Sequence, residues 1–256
     1  MESCLRPQQQ PTHNLKTLEN ALYRWVKQDF RSIVSSQHLQ YSLETRHILV
    51  TYFANLIILD RTPTSDGIPS VRSLVASSFL SGIYKEFLTR DELCYLGPAF
   101  AFYALCAGLA LIPTLRFPAL RGTAVEELQT LIESLRVLSR HWGSAFGALR
   151  ALQRLGGEIS QQPMRDDEVP VLRDEMVPFF EDFNKALCLQ WNAFSRTRTA
   201  DVSVPKPVPV PEVPLGPESA GEGFADLDLL NGNWEGAGFD WSGSWLLDDA
   251  LSHYSL

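Results

Sequence analysis

At 256 residues and 45% hydrophobic content, the chain has enough apolar material for one substantial core plus extensions. Its formal charge of −8 comes from one region: residues 218–256 carry eight carboxylates and no Lys or Arg, leaving 22 acidic against 22 basic residues elsewhere. That balance argues against a basic groove for nucleic acid, and the scattered Cys4, Cys94, Cys106 and Cys188 argue against a disulfide framework or zinc knuckle.

The first fourteen residues, MESCLRPQQQPTHN, lack both an apolar signal core and a basic presequence, so they read as a flexible leader on a soluble intracellular chain. Asn14 can cap a helix whose apolar positions Leu15, Leu18, Leu22, Trp25, Val26, Phe30 and Ile33 recur at three- and four-residue spacing. Ser42 opens a second helix, with Leu43, Ile48, Leu49, Tyr52, Phe53, Leu56, Ile57 and Leu59 covering more than half its circumference. It is expected to end near Thr62, because Pro63 lacks an amide proton and disfavours a helical residue before it. A third helix is predicted over Val71 to Leu88, with Leu74, Val75, Ser78, Phe79 and Ile83 inward.

From Leu93 to Leu115 the chain runs 23 residues without a charge, which is long enough to cross a bilayer. Gly97, Pro98, Gly108 and Pro113 interrupt it and Arg90 and Arg116 flank it, so a helix buried on all sides is the preferred reading. A fifth helix is expected from Thr123, with Thr123 and Glu126 as a capping box. Its apolar set runs from Val125 through Leu128, Leu131, Ile132, Leu135, Leu138, Trp142, Phe146, Leu149 and Leu152 to Leu155. Gly143 and Gly147 offer a division into two helices, and Gly156 with Gly157 the stop. After a polar loop from Ser160 to Pro170, one last helix over Val171 to Phe194 is expected, interrupted at Pro178.

Residues Val202 to Pro217 place proline at nearly every second position, which favours an extended spacer. The expected fold is therefore all-α: a leader over 1–14, a multi-helix regulatory domain over 15–199, a proline-rich linker over 200–217 and a disordered acidic-aromatic tail over 218–256.

The histidines supply no H-E-x-x-H motif, and no G-x-S-x-G elbow, phosphate-cradling loop or dinucleotide fingerprint occurs. The acids at Asp166 to Glu168 and at Asp174 and Glu175 read as solvated. No enzyme activity, metal or cofactor is expected. The tail is more informative, because it holds three of the six tryptophans among acids and glycines. Such a segment can present clustered aromatics to an apolar groove, folding a short helix such as Ser244 to Ser252 as it binds, in the manner of an acidic activation segment. Its anchors are expected at Phe239, Trp241, Trp245, Leu246, Leu247 and Leu251; the alternative is that it docks back on the helical body.

The segment LQTLIESLRVLSRHWGSAFGALRALQRL, with Ser139, Trp142 and Ala145 between two leucine-rich faces, resembles the late helices of the regulatory domain of fungal zinc-cluster transcription factors. TYFANLIILDRTP resembles the same family's apolar helix before an Arg-Pro turn, with Arg61 retained and Asp60 and Thr62 departing from the pattern. The six-cysteine DNA-binding module of that family has no counterpart here. The resemblance implies a nuclear regulatory and activating region, or a fragment that starts inside a longer protein. The resemblance further implies transcriptional regulation through a coactivator or mediator-type protein, with a DNA-binding partner or a missing N-terminal region, and no direct DNA or membrane binding is expected. A helical scaffold or adaptor without a transcriptional role is the alternative.

Overall fold

The computed structural model describes residues 11–30, 42–60, 69–164 and 169–195. Among them every regular element is a helix, as the apolar spacing predicts. Helix α1 spans Pro11–Trp25 and continues into one π turn over Val26–Phe30. It begins three residues before the expected Asn14 cap, since proline suits a helix start, where an amide proton would lack a partner anyway. The π turn brings both Val26 and Phe30 into the core.

Helix α2, Leu43–Leu59, starts where Ser42 Oγ accepts the Thr45 amide at 3.1 Å. It stops short of Thr62 because Asp60, its C-cap, is held from the other side. Arg72 Nε donates to Asp60 Oδ2 at 2.6 Å, a second guanidinium nitrogen reaches Oδ1, and Ser70 Oγ donates at 2.5 Å. The same Ser70 caps α3, Val71–Thr89, by accepting the Ser73 amide. One carboxylate thus ties the end of α2 to the start of α3. Arg72 also pairs with Glu19 of α1 and lies over the Phe179 ring, so three segments meet on one nearly buried guanidinium.

Helix α3 ends in a Schellman arrangement: the Glu92 amide bonds Phe87 O at 2.9 Å and the Asp91 amide bonds Leu88 O at 3.2 Å. Asp91 occupies the left-handed position, φ 55°, where glycine is the usual residue. The turn aims Glu92 back at Arg46 of α2, with which it forms an ion pair.

Helix α4, Ala99–Leu111, runs into a 3₁₀ turn over Ile112–Arg116. Helix α5, Pro118–Leu138, begins at its proline and not at Thr123. Thr123 and Glu126 are therefore helix interior, and the Thr123 hydroxyl donates to Leu120 O at 3.2 Å in place of a capping box. Val125, expected inside, is exposed. The long fifth helix is divided, as Gly143 allowed: Ser139 to Trp142 turn the chain and α6 spans Gly143–Ser160. Trp142 sits at this turn, partly exposed, with its indole N–H on Leu96 O at 2.9 Å. Gly156 and Gly157 do not stop α6. The next turn buries Ile159, and burial outweighs glycine's low helix propensity.

The single helix expected over Val171 to Phe194 is replaced by short turns, namely 3₁₀ turns at Val177–Phe179 and Lys185–Leu187 and a one-turn helix α7, Trp191–Phe194. Pro178 explains the failure to propagate. The non-helical path buries Phe179, Phe180 and Phe183 close together, which a helix would spread around its circumference. The Lys185 ammonium bonds the carbonyls of Phe180 and Phe183 that the missing helix leaves open. Phe53, Phe79 and Phe180 form a parallel trio, with ring centroids 5.0 Å (Phe53–Phe79), 5.8 Å (Phe79–Phe180) and 6.3 Å (Phe53–Phe180) apart and planes within 7° of one another. Phe183 meets Phe53 edge-on at 5.0 Å.

Candidate functional site

The residues singled out from sequence, Phe239, Trp241, Trp245, Leu246, Leu247 and Leu251, lie outside the described residues, as do the linker and the rest of the tail. Two features of the helical body stand out in their place, one polar and sealed, the other apolar and open.

The polar feature is built on α3. Its face toward α5 carries Ser77, Ser78 and Ser81, whose small size lets the helices approach closely. Ser81 Oγ bonds Glu127 O of α5 at 3.0 Å, and Ser78 Oγ donates to the Glu127 carboxylate. Gln190, from the turn before α7, gives its side-chain amide to the other Glu127 oxygen and its backbone N–H to Ser78 Oγ at 3.3 Å. Glu127 is 1% exposed. Burial pushes its carboxyl up to about 7, against the lowering effect of the Ser78 and Gln190 hydrogen bonds. Burial likewise pushes the neighbouring Cys188 thiol up to about 12, which leaves it unreactive. A raised carboxyl beside a thiol and a hydroxyl has the chemistry of an acid–base site, but no substrate atom can reach it through this packing. The cluster instead fastens segment 169–195 to α3 and α5. Sequence reading placed Ser78 inward and overlooked Glu127 and Gln190; the signal was a carboxylate between Ala124, Leu128 and Leu131 on the buried face of α5.

The apolar feature is α4. Expected to be buried on all sides, it packs against α2, α3, α5 and α6 and leaves one face half-buried. Ala101, Ala104 and Gly108 point inward, and a Cβ on Gly108 would stand 2.5 Å from Leu152 Cδ1. Phe102, Leu105, Cys106 and Leu109, on the opposite face, are half-buried. Beyond Leu109 the face meets a shallow apolar depression lined by Leu109, Ile112, Leu155 and Ile159, with no room for a water molecule. Tyr95, just before α4, is 70% exposed. The stretch Ala99–Arg116 is long and apolar enough to span a bilayer, and over half of it is buried within the domain, as in a core helix of a soluble protein.

Among the described residues, no group of three or more His, Cys, Asp or Glu side chains is arranged to hold a metal ion. Compared with protein families, curated proteins and solved structures, the chain matches none of them.

Proposed function

We propose that the chain acts in transcriptional regulation through protein contacts, with residues 218–256 as the activating segment and the helical body as its platform. The observation that carries this reading is the segregation in the sequence. Eight carboxylates, no basic residue and half of the tryptophans fall in the last 39 residues, behind a proline-rich spacer. A segment of this kind suits a coactivator-type partner with an apolar groove, the acids favouring encounter and the aromatics supplying the buried area. The resemblance of the body to the zinc-cluster factors' regulatory domain points the same way, as does a nuclear location, and a DNA-binding partner or additional N-terminal region would supply the promoter contact. The part built from Ser78, Glu127 and Gln190 stabilises the platform and performs no chemistry in this reading.

Tethering residues 218–256 to an unrelated DNA-binding domain tests it, with reporter output read at matched protein level. Output should rise well above the bare domain. Trp241→Ala with Trp245→Ala should nearly silence it, since truncating an aromatic anchor costs about 2 kcal/mol, near thirtyfold in affinity. Asp248→Asn should be mild, because one rim charge contributes roughly 0 to 1 kcal/mol. Output equal to the bare domain favours the second reading, a helical scaffold or adaptor, for which the half-open face of α4 is the supporting feature.

A further inference from the structure

We propose that the outer face of α4, with the depression beside it, is a docking surface for this chain's own segment Phe239–Leu251. On α4 the half-buried Phe102, Leu105, Cys106 and Leu109 recur at three- and four-residue spacing on one face, while Ala101, Ala104, Ala107 and Gly108 face inward beside Phe100 and Leu111. An amphipathic surface helix places polar groups at such outward positions. A covering segment explains why this face is apolar. Leu109 leads the stripe onto a shallow apolar depression shared with Ile112, Leu155 and Ile159. An apolar helical stripe is the form that accepts an apolar segment with anchors three and four residues apart, such as Leu247 and Leu251.

Charge selects the occupant. From Leu93 to Met164 the chain has six arginines and four glutamates, and one of those glutamates, Glu127, is sealed in the interior. Arg116 follows the depression and bonds Pro163 O at 3.3 Å, and Arg150 and Arg154 are exposed on α6, where Glu158 is the only acid. A second copy would bring these arginines against themselves. The segment within residues 218–256 brings eight carboxylates and no cation, so its rim meets opposite charge while its aromatics cover the stripe. Reach is ample: residues 196–238 separate the two, and at up to about 3.3 Å per residue a fraction of that length crosses the domain. If the tail also binds a coactivator, as proposed above, the two surfaces compete for the same tryptophans and docking holds the activator in reserve.

The test uses the full-length chain with p-benzoylphenylalanine in place of Phe102, irradiated and mapped by mass spectrometry. Crosslinks within one chain into residues 239–251 are expected, falling at least fivefold when Trp241→Ala and Trp245→Ala are added. A photoreactive label at Leu109 should give the same targets, and it replaces the first if circular dichroism shows lost helix. Crosslinks that avoid residues 218–256 overturn the proposal. So do crosslinks joining isotopically distinct chains, which would assign the face to a second copy. Crosslinks to lipid in place of the tail when phosphatidylcholine vesicles are present would assign it to a membrane surface. Because reporter output is not read here, failure of docking leaves the transcriptional reading standing, and failure of the reporter leaves docking standing.

Discussion

Helix α3 carries four serines, an arginine and a glycine and is enclosed along most of its length, whereas α4, far more apolar in composition, meets solvent along one face. The difference lies in what each helix asks of its neighbours. Helix α3 is central, contacted by α2, α4, α5 and the C-terminal turns, and small residues on it let those elements close in. Buried hydroxyls then need partners: Ser77 Oγ donates to the Ser73 carbonyl at 2.7 Å, and Ser78 and Ser81 turn to Glu127. Helix α4 needs no such partners: it touches α2, α3, α5 and α6 and still leaves its Phe102–Leu109 face half-buried. Position in the bundle, more than composition, decides which helix is inside.

The largest effect should come from removing bulk on α3. Phe79 is fully buried against the rings of Phe53, Phe180, Phe183 and Trp191, so Phe79→Ala removes four ring contacts and leaves a cavity. A loss of about 3 to 5 kcal/mol is expected, measured by urea unfolding. If the loss were below about 1 kcal/mol, the enclosure of α3 would not be what holds segment 169–195.

Next is Glu127, whose sign can be worked out. Its carboxyl titrates near 4.5 when unfolded and near 7 when folded, so between those values the folded chain holds a proton that the unfolded chain has lost. Its contribution is complete below pH 4.5, declines as pH rises to 7, and is constant above. The decline amounts to about 3 kcal/mol. Glu127→Gln should remove that slope and make the variant the more stable protein at pH 8, because a neutral amide keeps the contacts without a buried charge. The groups facing Glu127 are Ser78, Gln190 and Cys188, with Glu126 adding a small upward push. Thermal unfolding of both proteins from pH 5 to 8 checks it; parallel curves would show that Glu127 is ionised throughout.

Gly82, one turn after Ser78, sharpens the same contrast. A Cβ there would stand 2.0 Å from the Leu187 carbonyl oxygen, which is backbone and cannot step aside as a side-chain end can. Gly82→Ala gains up to about 1 kcal/mol of helix propensity and loses more by displacing the Lys185–Leu187 turn, for a net cost of about 1 to 3 kcal/mol. Gly108→Ala on α4 should cost less, since Leu152, its obstacle, is a flexible side chain. Equal losses in paired unfolding curves would erase the distinction between the two helices.

These contrasts also show what the sequence made legible. The helices through α5 followed from three- and four-residue spacing and the split before α6 from Gly143, and Ser42 announced its cap because a serine before an apolar run has one amide to satisfy. Helix ends were harder. Pro11 and Pro118 began helices that Asn14 and Thr123 had been expected to open, since a proline start and a polar cap give similar local signals. Residues 169–195 were misread because Phe179, Phe180 and Phe183 suit a helix by spacing, and only the three-dimensional slot beside Phe53 and Phe79 favours turns. The Glu127 cluster draws on α3, α5 and the turn before α7, and no local pattern joins positions so far apart. The openness of α4 depended equally on where its neighbours stop. Nothing in the sequence marked its half-buried face, because the helix carries no polar residues that would have set one face apart.

The smallest expected effect belongs to that outer face. Phe102 is half-buried, and its nearest aromatic neighbour, Tyr103, is 6.1 Å away on the same helix, so little of the domain's packing passes through it. With Trp241→Ala and Trp245→Ala in place to free this face, Phe102→Ser should change stability by about 0.5 kcal/mol or less, as substitutions away from the core and its polar networks do. In that background the substitution removes apolar area from the stripe without adding charge, so solubility should rise while the unfolding midpoint stays put. Urea unfolding of the background alone, with Phe102→Ser and with Phe79→Ala under one condition gives the comparison its scale, with the two phenylalanines differing roughly six-fold or more in effect. With the tryptophans present, a loss at Phe102 approaching that at Phe79 would mean the residue is covered in the intact chain, and comparison with the Trp241→Ala and Trp245→Ala background would show whether the tail is the cover. In that case the cost of Phe102→Ser should fall back to about 0.5 kcal/mol once the tryptophans are gone, because two groups that act only through each other show their coupling only while both are present.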